Sequence, residues 1–283
     1  MALERLTQMA RAVEDNWCAA WASLGSLQAK PASQVSATPD YLRVHTPGAP
    51  EMLLNIVMRY TSETRVDARD IERAIAPFRQ ARLPFQWWLT LGTQPAGLRE
   101  ELRALGMQTW GGATSMALAL DGWEPRYPPP ATGVTLGRVS GPEAERGALR
   151  VVCDVFLVPA APMARWTTLN PAFQVYGAWR NGALVSALAT LRHEGVAGVY
   201  HVATLPSARR QGIAGNLLML ALREAHAAGC AQATLTATPE ARALYERLGF
   251  RSCGTIEQWV PGPQLTYALA NGTTPASRRL GWP

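Results

Sequence analysis

The chain has 283 residues, 48% hydrophobic and 17% charged, with a formal net charge of +6, which is the make-up of an ordinary soluble globular protein with room for two domains. Lys30 is the sole lysine, and the arginines are spread from Arg5 to Arg279 among acids rather than gathered into a patch, which argues against a nucleic-acid partner. Cys18, Cys153, Cys230 and Cys253 form no C-x-x-C pair, no apolar run reaches the ~20 residues needed to span a bilayer, and no signal peptide opens the chain; reduced thiols, no metal, no membrane and a cytoplasmic location are expected.

Leu3, Leu6, Ala10, Val13, Trp17, Ala20, Trp21 and Leu24 recur at helical spacing up to Gly25, predicting a long amphipathic first helix. Strands are predicted at 41–45, 52–59, 85–91 and 114–120, and helices at 67–81 and 96–105. Residues 121–133 carry four prolines and two glycines and read as a stiff linker. A strand at 134–139 and a helix at 142–156 follow, the helix with Ser140 and Glu143 spaced as a capping box. After an irregular stretch to about Asn170, strands at 173–180 and 183–192 are joined by Asn181-Gly182, a hairpin-turn pair. The order then runs strand, loop, helix (216–228), strand (233–237), helix, and strands at 251–259 and 264–269, with a tail from about 271. This is a mixed α/β order, with a central sheet flanked by helices.

The most informative stretch is 202–215. An apolar strand enters a Pro-Ser-Ala turn, and Arg209, Arg210, Gln211, Gly212, Ile213, Ala214 and Gly215 then open a long apolar helix. The first N–H groups of a helix lack partners and its dipole is positive there, so a glycine-containing helix start can hold a phosphate or pyrophosphate. No Gly-Lys-Ser/Thr follows, so it is no Walker A loop, and the glycine spacing is not the dinucleotide fingerprint. Thirty residues on, Thr238 is placed to cap a helix, Pro239 suits its first turn and Gly249 its left-handed end, with Ala241, Leu244, Tyr245 and Leu248 on one face.

Two segments carry a family resemblance. Arg209, Gly212 and Ala214 fill the [RQ]-x-x-G-x-[GA] acyl-CoA loop of the GNAT acetyltransferase superfamily, and Ala241-Arg-Ala-Leu-Tyr245-Glu-Arg-Leu-Gly249-Phe250 is similar to its A-x-x-L-Y-x-x-x-G-F signature. The resemblance covers about residues 133–269 and implies acyl transfer from acetyl-CoA to an amine by direct attack. It also implies that the loop from Arg209 to Gly215 holds the pyrophosphate. Val202, Ala203 and Thr204 would then supply the strand edge for the pantetheine arm and an N–H for the oxyanion, and Tyr245 the acid for the leaving thiolate. Many relatives have asparagine where Thr238 stands, and the glutamate that some carry in the preceding strand aligns with Gly198.

For the proton acceptor, His201 has the best-suited reference pKa; Glu194, Tyr200, Glu257 and a water relay are alternatives. Met163, Arg165 and Trp166, in the stretch 157–170, fall where the superfamily builds its acceptor wall. Residues 85–107 parallel the segment around Tyr245, with Leu105-Gly106 matching Leu248-Gly249 and Leu102 opposite Tyr245. The first half (1–125) is accordingly read as a degenerate GNAT-like domain, joined by a linker (126–133) to the acyl-CoA-binding domain (134–270). An unrelated α/β cap is the alternative. A small-molecule amine is the expected acceptor. A non-catalytic acyl-CoA sensor and a peptide N-terminal acetyltransferase are the competing functions, and the oligomeric state is open.

Overall fold

The computed structural model describes residues 2–60, 66–91, 95–125 and 127–262. Its contacts divide the chain into two compact units, one formed by Met1–Trp17 and Ser115–Cys253 and the other by Cys18–Thr114 and Gly254–Pro283. The units do not divide at the proline-rich segment, where the sequence places the boundary. Strand β5 (Met107–Ala119) and strand β11 (Arg251–Pro261) each begin in one unit and end in the other, because a strand belongs with the neighbours that complete its hydrogen-bond ladder. The predicted strand at 264–269 and the tail lie outside the described residues.

The unit built on residues 18–114 holds β1 (Gln34–Ala37), β2 (Leu42–His45), β3 (Ile56–Met58) and β4 (Gln86–Leu89), in the sheet order β1-β2-β3-β4-β11-β5. Helices α2 (Ala68–Gln80) and α3 (Leu98–Ala104) complete it. Its core gathers Tyr60, Phe78, Phe85, Trp87 and Trp259, with Phe78 stacked on Phe85. The strand expected at 52–59 is shorter, since Met52–Leu54 coil into a 3₁₀ turn held by Asn55, whose side chain donates to the carbonyls of Ala49 and Glu51.

The other unit has the sheet order β5-β10-β9-β8-β7-β6, comprising β6 (Val134–Arg138), β7 (Phe173–Arg180), β8 (Ala183–His193), β9 (Val196–Thr204) and β10 (Gln232–Ala237). The β7–β8 turn has Asn181 and Gly182 both at positive φ, 51° and 79°, as a two-residue hairpin of this sequence requires. Helix α4 (Pro142–Phe156) opens differently from the expectation. Its N-cap is Gly141, with no side-chain cap bond, so the Ser140–Glu143 capping box does not form. A short α5 (Ala160–Ala164), not predicted, follows α4.

Helix α6 (Ile213–Ala227) buries Leu217, Leu218, Ala221 and Leu222 over Tyr176, Leu188 and Val199. Gly147 of α4 lies against Leu184, while Val185, the next residue of β8, belongs to the core under α6, so the two helices cover opposite faces. Helix α7 (Pro239–Arg247) starts with Thr238 accepting from the Ala241 N–H and stops at Gly249, φ 98°. The first helix, α1 (Ala2–Ala22), lends this unit its residues up to Trp17.

Candidate active site

Two irregularities in β9 create an opening in the sheet. On one edge, β9 pairs in parallel with β10 over Val196–Gly198 and Gln232–Thr234, yet β9 continues to Thr204 and β10 to Ala237. From Val199 onward this edge of β9 is therefore free of the β10 ladder. On the other edge, Ala189 faces Tyr200 and Ala187 faces Ala203, so Leu188 alone opposes His201 and Val202. That is a β-bulge, with His201 in the left-handed region at φ 53°. A bulge withdraws backbone groups from pairing, and an unpaired strand edge accepts an extended ligand as if it were another strand. Val202, Ala203 and Thr204 lie on this stretch, and Ser186 fixes its far end by donating to the Ala203 carbonyl at 2.7 Å and meeting the Thr204 hydroxyl at 2.8 Å.

Directly beyond, the loop delivers the chain to α6. Gly212 is its N-cap at φ 72° with no side-chain cap bond, and Arg210 is also left-handed at φ 63°. Arg209 Nε donates to the Thr204 carbonyl at 3.0 Å, tying the loop to the bulged strand. Arg180, at the end of β7, sends Nη1 to the Ser207 carbonyl and to Gln211 Oε1 at 3.0 Å. The strand pairing brings Arg180 to the loop; nothing local in the sequence marks it. Arg180, Arg209 and Arg210 beside a helix N-terminus supply positive charge of the kind that suits a pyrophosphate.

Tyr245 is 5% exposed in the core that also holds Leu235, Ala237 and Ile213, its ring edge-on to Phe250. Burial pushes its phenol well above the ordinary range, so it stays protonated at neutral pH. Its hydroxyl has no hydrogen-bond partner among the described residues.

His201 sits within an aromatic cluster of Phe156, Trp166 and Tyr200, each with its ring centroid 6.2 Å from the imidazole. Its Nε2 is buried without a hydrogen bond, and burial lowers its pKa to about 4. The imidazole is neutral at pH 7 and a poor base there. The residues expected at the acceptor wall, Met163, Arg165 and Trp166, are buried, at 3%, 6% and 1% exposed, with Trp166 beside His201. In that stretch the outward apolar side chains are Leu157 and Leu169, 59% and 60% exposed. Glu257 is committed elsewhere, bound by Arg99 at 2.6 Å, and Tyr200 bonds to Asn16.

The four cysteines are free thiols, as expected, with burial raising Cys253 to about 11. Among the described residues no group of three His, Cys, Asp or Glu side chains could hold a metal, and no helix is long and apolar enough to cross a membrane.

Residues 143–262 match the family model of the acetyltransferase (GNAT) domain. The match spans less than half of the chain and supports the GNAT superfamily, and with it acyl transfer in general, for this part. Among solved structures, the chain is similar to a GCN5-related N-acetyltransferase from Kribbella flavida, at 20% identity over 90% of this chain and 95% of that one, with a TM-score of 0.67. A second, from Sphaerobacter thermophilus, matches at 15% identity over 90% and 92%, TM-score 0.55. A tandem GNAT protein from the clavulanic acid biosynthesis pathway matches at 18% identity over 88% and 95%, TM-score 0.55. At such identities the likeness is one of fold, and it extends across both units. No curated protein matches the sequence.

Proposed function

We propose that this chain transfers an acetyl group from acetyl-CoA to the amine of a small molecule by direct attack. The observation that carries the reading is the opening of β9 from β10, with the His201–Val202 bulge on it, immediately ahead of the Arg209–Gly215 loop. Acetyl-CoA supplies the activated thioester; the chain supplies alignment and charge stabilisation. Val202, Ala203 and Thr204 present the strand edge and a backbone N–H for the oxygen that gains charge. Arg209 to Gly215, with Arg180, hold the pyrophosphate. Tyr245 hydrogen-bonds the departing sulfur.

A phenol raised this far is a weak acid, so its main contribution is a hydrogen bond to the thiolate rather than complete proton transfer. His201 holds the bulge in shape, and the proton of the acceptor ammonium leaves through water. The exposed Leu157 and Leu169 favour an acceptor with apolar surface.

The Cys18–Thr114 unit is proposed to be a second GNAT copy that has lost its loop. In both halves a strand, a helix and a long strand follow in order (β4-α3-β5 and β10-α7-β11).

The test is thiol release when acetyl-CoA is mixed with a panel of small amines. Release above the acceptor-free rate is expected for at least one amine. Binding of acetyl-CoA without release for any amine or peptide would replace the transferase reading with that of an acyl-CoA sensor. That second reading has one observation in its favour, the Tyr127 ring lying on Gly215.

A further inference from the structure

The segment read from its prolines as a linker is laid across the start of α6. The Pro128 carbonyl accepts from Asn216 Nδ2 at 2.8 Å, and the Ala131 N–H donates to the Gln211 carbonyl at 3.2 Å. A side chain at Gly212 would meet the Pro129 carbonyl oxygen at 3.3 Å and that of Pro128 at 3.6 Å. Tyr127 goes further. Its half-buried ring packs on the core and rests on Gly215 so closely that even one added carbon at Gly215 would collide with the ring carbons. Gly215 is buried as a result.

Carbonyl oxygens carry partial negative charge, and here two of them stand at the positive end of a helix dipole. They stand in the region that a pyrophosphate would need, and the ring covers the third residue of the helix. Gly215 and Tyr127 are fitted to each other, since any other residue at 215 would push the ring away. Pro128 and Pro129 are exposed, and Ala131, Thr132 and Gly133 beyond them are exposed as well, so apart from the surface under the Tyr127 ring, release uncovers little core. Three consecutive prolines keep the segment extended and let it swing as a stiff piece about its ends.

We infer that residues 127–131 are an autoinhibitory strap, with Tyr127 as its latch, and that acyl-CoA occupies the loop only when the strap is lifted. The inference rests on the reading of Arg209–Gly215 as the acyl-CoA site. A binding-competent state populated as a minor fraction lowers apparent affinity by that fraction, so removing the latch should raise affinity.

The experiment titrates the full chain and its Tyr127→Ala variant with acetyl-CoA by calorimetry, and follows amide hydrogen exchange of the unmodified chain with and without acetyl-CoA. A gain of about tenfold or more in affinity for the variant is expected, because the latched state no longer competes. In the unmodified chain, acetyl-CoA should speed exchange at the Ala131 N–H while slowing it at Ile213–Gly215. Equal affinities with Ala131 still protected would overturn the strap and leave the acyl-CoA site standing. Absence of binding by both proteins would overturn the site reading, and the strap with it. The exchange measurement needs no substitution, so misfolding of the variant cannot obscure the answer.

Discussion

Asn16 and Tyr200, 184 residues apart, share a buried hydrogen bond of 2.5 Å between Asn16 Oδ1 and the Tyr200 hydroxyl. Asn16 Nδ2 donates in turn to the carbonyls of Leu191 and Val196 at 3.3 and 3.2 Å. Trp17, the next residue of α1, lies edge-on to the Tyr200 ring at 4.8 Å. The opening helix is thereby fastened to β9 one residue before the bulge. A side chain at Gly198 would run into Asn16, which gives a physical reason for glycine there.

Asn16→Ala is expected to lower stability by about 1–3 kcal/mol, because a buried hydroxyl and two carbonyls lose a partner. The urea midpoint measures it at unchanged slope. An unchanged midpoint would mean that this junction does not brace the strand.

Thr238→Ala removes the side-chain acceptor for the Ala241 N–H, 3.3 Å in the structure. A loss of about 1 kcal/mol is expected from an N-cap of this kind. Ser140→Ala should leave thermal stability nearly unchanged, because Gly141, not Ser140, caps α4. Thermal unfolding of the two variants side by side decides the pair; a larger loss for Ser140→Ala would contradict the assigned caps.

His201 makes stability depend on pH with a definite sign. Its folded-state pKa, about 4, lies below the ordinary 6.5, so the unfolded chain binds the extra proton first. Its contribution is complete above pH 6.5 and is lost as pH falls toward 4, with a slope of about 1.4 kcal/mol per pH unit at most. His45 is lowered too, first by burial and then by Arg43, and adds a slope of the same sign. His201→Asn, a residue tolerant of the left-handed region, should flatten the difference between urea midpoints at pH 7 and pH 5 without abolishing it. An unaltered difference would mean that His201 is charged or exposed in the folded state.

Tyr245→Phe should reduce kcat for acyl transfer about 10²–10³-fold while acetyl-CoA affinity stays within about twofold, since the lost hydrogen bond forms mainly as the sulfur gains charge. Steady-state kinetics together with a binding titration separate the two. Undiminished kcat would reduce Tyr245 to a packing residue.

What could be read in the residue order was what is decided locally. Asn181-Gly182 makes its turn, Thr238 and Gly249 bound their helix, and the glycine-containing start of α6 falls next to the predicted loop, because each rests on the φ/ψ or hydrogen bonding of two to five consecutive residues. Features made by distant partners stayed hidden. The bulge at His201–Val202 exists only in register with Leu188. Strand β5 was expected at 114–120, yet it begins at Met107, and Gly112 is needed where the Ile256 carbonyl comes close. Arg180 reaches the loop through the sheet, and the prolines of 128–130 show stiffness without revealing what they lie against.

The first measurement is calorimetric titration with acetyl-CoA of the unmodified chain and of Gly212→Glu, with circular dichroism to verify that both are folded. A carboxylate at the α6 N-cap would stand where the pyrophosphate is expected. Binding with a Kd on the order of micromolar, about −8 kcal/mol, abolished in folded Gly212→Glu, is the expected result. Equal binding by the two proteins, or none by the unmodified chain, would contradict the assignment of Arg209–Gly215 as the acyl-CoA site.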